Sequence, residues 1–283
     1  DDLKNVVNER DIAIQKLIIF PWITYLKYYN CFYIMKFVLV ALLVGACLTV
    51  SWPSVSSTKT LGSPITVKAG QTFDGLKQNG GKWVRYERGR SGLGDCTKVE
   101  GGKADAVFLL EKGAVLKNVV LGAKSVEHVH CEAQGCTVEN VYWEDVCEDA
   151  LTFENSYDTN AKFYVKGGAA RNGSDKIIQH NSAGTVYIEN FYVENSGKVY
   201  RACGNCKKGY QGKRTVVMTN VVANKVGALA GYNPNFGDTV TLIKVKVTGG
   251  HVCRAFQGRN DGKEPTAIGY RCDNQYNENC TCK

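Results

Sequence analysis

The feature that most constrains the fold is a short strand-like segment that recurs from Ala114 onward. Each copy is rich in β-branched and aromatic residues and is bounded by Gly, Asn or Asp. Steps of 22, 27, 23, 30 and 24 residues separate the equivalent points Asn118, Asn140, Gly167, Asn190, Asn220 and Lys244. Periods of this length are typical of solenoids. They leave no room for a long helix, which disfavours leucine-rich and βαβ repeats, so the sequence predicts an all-β, single-stranded parallel β-helix.

An ordinary antiparallel sandwich is the alternative to this solenoid. It would use tight Asn-Gly or Asp-Gly hairpins, and the candidates in this chain are Asp74-Gly75 and Asp261-Gly262. In a parallel β-helix the coils stack about 4.8 Å apart, so residues of equal phase form columns. We therefore expect a hydrogen-bonded side-chain ladder made of Asn118, Asn140, Asn190 and Asn220.

The N-terminal region has the features of an export signal. A single basic residue follows Met35, and an apolar run too short to span a bilayer comfortably then ends near Ser51. This pattern predicts a signal peptide at 35–51, with a membrane-retained signal anchor as the alternative. We expect residues 1–34 to be upstream sequence outside the native protein. The domain is then expected at 52–283, as a secreted monomer with no membrane attachment after cleavage.

Cysteine usage supports an oxidising compartment. The chain has twelve cysteines, and only Cys31 and Cys47 precede the expected domain. The remaining ten predict a disulfide-rich fold whose connectivity the sequence leaves open. Zinc is the alternative for the closely spaced cysteines, but the one CxxC, Cys203 to Cys206, has no second CxxC to complement it.

Charged residues fall in phase with the repeat. The net charge is +8, which favours a polyanion, and no lysine-rich arm, zinc finger or RNA-binding aromatic motif suggests nucleic acid. Steps of 21, 27 and 22 residues separate Glu127, Glu148 with Asp149, Lys176, and Lys198 with Arg201. Two coils of carboxylates would then lie beside two coils of cations. The carboxylates suit calcium, whereas charges that only decorate solvated turns are the alternative.

Such a cluster has a chemical meaning for a chain of uronic acids. Calcium that bridges the sugar carboxylate makes the C5 hydrogen more acidic, and a nearby base can then remove it. Lys176 can be that base only if its pKa is lowered, and neighbouring cations with bound calcium act in that direction. We favour Lys176 over Arg201 because arginine rarely loses its proton.

Several segments carry a specific resemblance to a known family. They are His128–Cys131, Trp143–Thr152, Ser174–Asn181 and Gly197–Arg201, within a likeness that runs from Ile65 to about Phe256. These segments resemble the class III pectate lyases, which form polysaccharide lyase family 3, and the cysteine-rich part resembles the eukaryotic branch. The resemblance implies a right-handed β-helix that cleaves polygalacturonate, the de-esterified pectin of plant cell walls, into unsaturated products by β-elimination.

The resemblance also implies roles for individual residues. Calcium would be bound at Glu127, Glu148 and Asp149, and the catalytic group would be Lys176, Lys198 and Arg201, with Arg201 on the uronate carboxylate. The family commonly has aspartate where this chain has Glu127, and the longer side chain may not be neutral for calcium affinity. Glu100 resembles a site-associated, substrate-binding acid, whereas His130 and His180 are expected to be structural.

Two other functions fit a secreted solenoid of this kind. A polygalacturonase would hydrolyse the same substrate with a pair of acids that leave room for water, but its Asn-x-Asp, Asp-Asp and Gly-His-Gly motifs are absent. A wall-binding β-helix with little or no turnover is the other alternative. The sequence leaves open the identity of the base, the endo or exo mode and the preference for methylation.

Overall fold

The computed structural model describes residues 50–90, 98–132, 134–154, 156–207, 209, 211–273 and 280–282. The helical elements that lie wholly in these ranges are α1 (Gly75–Gln78) and two 3₁₀ turns, Lys103–Asp105 and Pro234–Phe236. The predicted upstream segment at 1–34 and all but the last two residues of the predicted signal peptide lie outside the described residues. None of the helices in the described ranges has the length and apolar character needed to cross a lipid bilayer.

Twenty β-strands make up nearly all of the regular structure. They are β1 (Ser57–Thr60), β2 (Ile65–Val67), β3 (Thr72–Asp74), β4 (Val84–Glu87), β5 (Phe108–Leu110), β6 (Val115–Leu121), β7 (Val129–Cys131), β8 (Thr137–Trp143), β9 (Asp149–Phe153), β10 (Lys162–Arg171), β11 (Lys176–His180), β12 (Gly184–Glu189), β13 (Tyr192–Ala202), β14 (Arg214–Thr219), β15 (Val222–Tyr232), β16 (Thr239–Ile243), β17 (Lys246–Thr248), β18 (His251–Gln257), β19 (Thr266–Arg271) and β20 (Cys280–Cys282).

The strands stack in parallel on three faces. Face 1 contains β2, β5, β7, β9, β11, the later halves of β13 and β15, and β18. Face 2 contains β3, the first halves of β6, β8 and β10, and then β12, β14 and β16. Face 3 contains β1, β4, the later halves of β6, β8 and β10, the first halves of β13 and β15, and β17. The predicted parallel β-helix is confirmed, and only β19 and β20 pair in antiparallel fashion within the described chain.

The corner between faces 2 and 3 contains the residues that define the repeat. All six have a left-handed backbone, with φ between 53° and 67°, at Asn118, Asn140, Gly167, Asn190, Asn220 and Lys244. Asparagine and glycine tolerate this conformation better than most residues. The predicted ladder forms in two parts, with Asn140 Nδ2 donating to Asn118 Oδ1 at 2.8 Å and Asn220 Nδ2 donating to Asn190 Oδ1 at 2.6 Å. Gly167 has no side chain and separates the two parts.

The interior is filled by apolar columns that run along the solenoid axis. One column on face 2 has one residue per coil, each at most 1% exposed: Leu116, Val138, Val165, Ile188, Met218 and Leu242. Burial of each such side chain contributes about 1.5–3 kcal/mol. Disulfides join Cys131 to Cys136, Cys203 to Cys206, and Cys253 to Cys282, as the cysteine content predicts. The stacked coils give face 1 a rigid support.

Candidate active site

Face 1 brings the predicted acidic and basic residues into one column. Lys176 opens β11 and pairs in register with Asp149, which opens β9. Lys176 also pairs with Lys198 on β13, one coil further along. Residues 27 and 22 positions apart in sequence therefore occupy equivalent points on three successive coils. The phase relation predicted from the sequence is correct for these three residues.

Glu127 and Glu148 extend this column on its acidic side. Val129 on β7 pairs with Leu151 on β9, and Glu127 and Asp149 each lie two residues before one member of that pair. The backbone follows the same register, since the Glu148 amide donates to the Val126 carbonyl at 3.2 Å. Carboxylates from two neighbouring coils thus converge on the same side of the solenoid.

Lys176 lies at the centre of an ion-pair cluster. Its Nζ is 3.2 Å from Asp149 Oδ1, 3.9 Å from Glu148 Oε1 and 3.0 Å from Asp175 Oδ2. Lys198 Nζ is 2.7 Å from the other oxygen of Asp175. Asp175 therefore bridges the two lysines. The sequence analysis missed this role, although Asp175 directly precedes Lys176.

The acids of the cluster have shifted pKa values. Burial, the adjacent Glu127 carboxylate and the charge of Asp149 raise the pKa of Glu148 to about 10. Burial also raises the pKa of Asp149 to about 7, against the opposing effect of Lys176. Glu127 Oε2 and Asp149 Oδ1 are buried, and within the described chain their contacts are ion pairs without hydrogen-bond geometry, to His130 at 3.3 Å and to Lys176 at 3.2 Å. Converging carboxylate oxygens of this kind fit calcium, which takes irregular sets of oxygen ligands.

The environment of Lys176 differs from the sequence-based expectation. Burial favours the neutral amine, but the charges of Asp149, Asp175 and Glu148 outweigh burial and raise the pKa of Lys176 above its ordinary value. The sequence argument had weighed the cationic neighbours and bound calcium and had left Asp175 out. The side chains of this chain alone therefore favour the protonated ammonium.

Arg201 lies apart from the contacts of the two lysines. It pairs in register with Gln179 and Gly231, three residues beyond the Lys198 position. Its guanidinium donates to the Ala202 carbonyl at 2.6 Å and to Asn233 Oδ1 at 3.1 Å, and it stacks over a phenylalanine ring. Burial lowers the pKa of Arg201 to about 10. The structure brings five of the six predicted residues together and buries the sixth side chain, that of Arg201, against the loop at Gly204.

Glu100, the predicted substrate-binding acid, lies at the rim of the cluster. Its side chain is exposed, and the next residue is Gly101. A Cβ atom on Gly101 would lie 2.6 Å from Glu127 Cγ, so only glycine fits against that carboxylate without displacement. Glu100 therefore directly precedes a residue that lies against the acidic group.

The two histidines differ in their surroundings. His180 is fully buried, and its Nδ1 is 2.8 Å from the Tyr200 hydroxyl, as expected of a structural residue. His130 is also buried, but carboxylates of Glu127, Glu132 and Glu154 face its ring at 3.3, 3.6 and 3.7 Å. Burial opposes a charge on this imidazole, yet the three carboxylates raise the pKa of His130 to about 11.

These side chains line one open cleft of about 370 Å³ on face 1. Its walls include the acidic residues, Lys176, His130 and the disulfide-linked pair Cys203 and Cys206. Its charged lining consists of acids and lysines together: Glu127, Glu148, Asp149, Glu154, Lys103 and Lys176. This arrangement can bind a hard cation together with an anionic substrate.

Three comparisons relate this geometry to known proteins. A family model described as Pectate lyase matches residues 49–263. Pectate lyase E of Emericella nidulans is 46% identical over 215 residues, which are 75% of this chain and 78% of the relative. The catalytic domain of pectate lyase PelI from Erwinia chrysanthemi matches with a TM-score of 0.57 at 29% identity, over 73% of this chain and 93% of that domain.

A second solved structure from the same bacterium contains a ligand. It is pectate lyase PelI in complex with tetragalacturonic acid, and it matches with a TM-score of 0.57 at 28% identity, over 73% of this chain and 64% of that one. The family match at residues 49–263 covers the solenoid coils that carry the charged column.

Proposed function

The chain belongs to the pectate lyase family and is a pectate lyase, and we propose that it cleaves polygalacturonate by calcium-assisted β-elimination in the cleft on face 1. The observation that carries this proposal is the register of Asp149, Lys176 and Lys198 on successive coils. The tetragalacturonic acid bound by a structural relative supports the substrate class.

Glu127, Glu148 and Asp149 are the residues that would hold calcium. Bound there, calcium supplies positive charge that bridges to a uronate carboxylate and makes the neighbouring C5 hydrogen more acidic. Burial first, and then the charge of neighbouring carboxylates, raises the pKa values of Glu148 and Asp149, so part of each shift is repulsion between acids. A divalent counter-ion would relieve that repulsion.

Lys176 is the proposed base that removes the C5 proton. Its Nζ is within 4 Å of Glu148 and Asp149, so it lies beside the group that would orient the substrate carboxylate. Besides Asp175, the acids whose charges raise its pKa are Asp149 and Glu148. Lys176 should release its proton more readily once they carry a counter-ion.

Lys198 and Arg201 are proposed to assist in different ways. Lys198 is fixed by Asp175 at 2.7 Å and presents a positive charge one coil from Lys176, where a neighbouring uronate would lie. Arg201 packs beneath the loop that contains Cys203 and Cys206, since a Cβ on Gly204 would lie 2.2 Å from its Nη2. We propose that Arg201 positions this wall of the cleft, and this replaces the uronate contact expected from the sequence.

The protein is also proposed to act outside the cell as a monomer. Support comes from the leader-like sequence at 35–51 and from the disulfides of the described domain. Polygalacturonate of plant cell walls is the substrate that fits such a location and a cleft whose carboxylates can hold a cation.

One assay tests the proposed chemistry. The purified full chain is incubated with polygalacturonate in calcium and in excess chelator, while ultraviolet absorbance reports the conjugated double bond that elimination creates. We expect absorbance to rise in calcium and to stay flat in chelator. Reducing ends released without absorbance would indicate hydrolysis, and binding without either product would indicate a wall-binding module; both results contradict the proposal.

A further inference from the structure

A second group of potential metal ligands lies beside the acidic cluster. His130 is on β7, Glu132 follows that strand, and Glu154 follows β9. Cys131 pairs in register with Phe153, so the residues after them, Glu132 and Glu154, lie one coil apart at the same phase. Alternate residues of an extended segment point to the same side, and His130 and Glu132 are two residues apart. The three side chains therefore converge.

The distances within this group suit a metal ion better than hydrogen bonds. His130 Nδ1 is 3.6 Å from Glu132 Oε1 and 3.7 Å from Glu154 Oε2, and both distances exceed those of a hydrogen bond. Ligand atoms about 2.0–2.2 Å from a tetrahedral ion are separated by about 3.3–3.6 Å. One ligand atom from each residue lies within 4.8 Å of the others. A small ion between them needs little movement of the side chains.

His130 independently points to a missing ligand. Its side chain is 3% exposed, and neither ring nitrogen has a hydrogen-bond partner of acceptable geometry in the described chain. A buried polar group without a partner is destabilising. An ion bound by Nδ1 would remove this deficit and leave Nε2 as a donor toward Glu127 Oε2, 3.3 Å away.

The surrounding residues support the same arrangement. Lys103 Nζ is 2.7 Å from Glu132 Oε2, the oxygen that does not face His130. Asn181 Nδ2 donates to Glu154 Oε1 at 3.4 Å, again to the oxygen that faces away from the ring. Outer contacts of this type orient ligands in metal sites, and a carboxylate on the second nitrogen of a ligand histidine is a common example.

We propose that His130, Glu132 and Glu154 form a second cation site, distinct from the calcium ligands, for a borderline divalent metal of the zinc class. Calcium takes oxygen ligands, whereas an imidazole with two carboxylates suits zinc and its neighbours in the first transition series. Two of the three ligands, His130 and Glu154, line the cleft, which leaves a coordination position for water. Through His130 the metal fixes the orientation of Glu127.

Cobalt(II) is the probe that tests this site, because tetrahedral cobalt absorbs strongly in the visible range. The full chain is stripped with chelator, dialysed, supplied with saturating calcium and titrated with Co²⁺, and Zn²⁺ is then added as competitor. We expect one equivalent with a tetrahedral spectrum that Zn²⁺ abolishes. Absence of this spectrum, or its loss on raising calcium alone, overturns the proposal.

Variants locate the bound ion. Glu154→Gln should weaken Co²⁺ binding at least about tenfold, as should Glu132→Gln, and circular dichroism checks that both are folded. Glu139→Gln is the matched control, since Glu139 is exposed on β8, and it should bind as the parent does. Unchanged binding in both site variants overturns the proposal. A loss in Glu148→Gln equal to that in Glu154→Gln overturns it too, because the ion would then lie in the calcium cluster. Neither readout depends on lyase activity.

Discussion

The asparagine ladder and the acidic column use the same repeat in opposite ways. In the ladder, Asn140 donates to Asn118 across neighbouring coils, and each amide satisfies the next. In the column, Glu127 and Asp149 come from neighbouring coils at the same phase, yet neither carboxylate can donate to the other when both are ionised. Stacking identical amides stabilises the solenoid by itself, whereas stacking acids requires protons, lysines or a metal ion. The candidate active site lies at the acidic column, where stacking alone does not stabilise the repeat.

The largest effect should come from removing the central cation of the column. Lys176→Ala should lower the rate of polygalacturonate cleavage by roughly 10²- to 10⁴-fold, the usual contribution of a general base. The fold should remain, because the solenoid core does not depend on this side chain. Initial rates by ultraviolet absorbance measure the loss, and Lys162→Ala, at an exposed position on face 2, serves as control. Near-normal turnover in Lys176→Ala would refute its role as base.

Replacing one stacked acid by an amide should separate stability from function. Asp149→Asn removes a carboxylate whose pKa is raised to about 7, so at pH 8 in chelator the variant should unfold at a higher temperature than the parent. The same variant should lose most of its cleavage activity in calcium. Thermal unfolding and the absorbance assay test both parts. A variant that is less stable in chelator would contradict the view that this column is internally repulsive.

The ladder should respond differently from the column. Asn140→Ala removes a hydrogen bond and puts alanine at a φ of 54°, which should lower the free energy of unfolding by about 1–2 kcal/mol. The loss should be the same with and without calcium, since the ladder carries no charge. Chemical denaturation under both conditions measures it, with Glu139→Ala on the adjacent exposed residue as control. A calcium-dependent loss would mean that the two columns are coupled.

The smallest effect should be the pH dependence of the parent protein in chelator. The pKa of Asp149 is about 7 in the folded protein and about 3.9 in an unfolded chain, so between these values the folded state binds more protons. Stability should therefore fall as pH rises from about 4 to about 7, and calcium should reduce the fall. Unfolding temperatures across this range test the sign, and a rise through the same window would contradict it.

The sequence predicted the repeat well because the residues that mark each corner are required there by the backbone conformation. Each equivalent point, from Asn118 to Lys244, adopts φ > 0, a demand that asparagine and glycine reveal in sequence. Phase alone then predicted that Asp149, Lys176 and Lys198 would align. Phase fixes the position of a Cα along a coil but leaves the direction of a long side chain open. For that reason the sequence left open where Arg201, three residues beyond Lys198, would direct its guanidinium.

Side-chain contacts between adjacent columns could not be predicted from the sequence either. Asp175 bridges Lys176 and Lys198 from outside their column, and its charge adds to those of Asp149 and Glu148, which together raise the pKa of Lys176. His130 was taken as structural because a single histidine in sequence gives no indication of three facing carboxylates. The spacing of His130 and Glu132, two residues apart on a strand, was the one available signal.

Calcium binding at pH 8, measured by titration calorimetry on the chelator-stripped full chain, tests the central claim most directly. The stacked carboxylates should bind calcium in the parent protein, and Glu148→Gln should weaken that binding by at least about tenfold. Glu139→Gln should leave it unchanged. Equal calcium affinity in the parent and in Glu148→Gln would contradict the claim that neighbouring coils build the cation site.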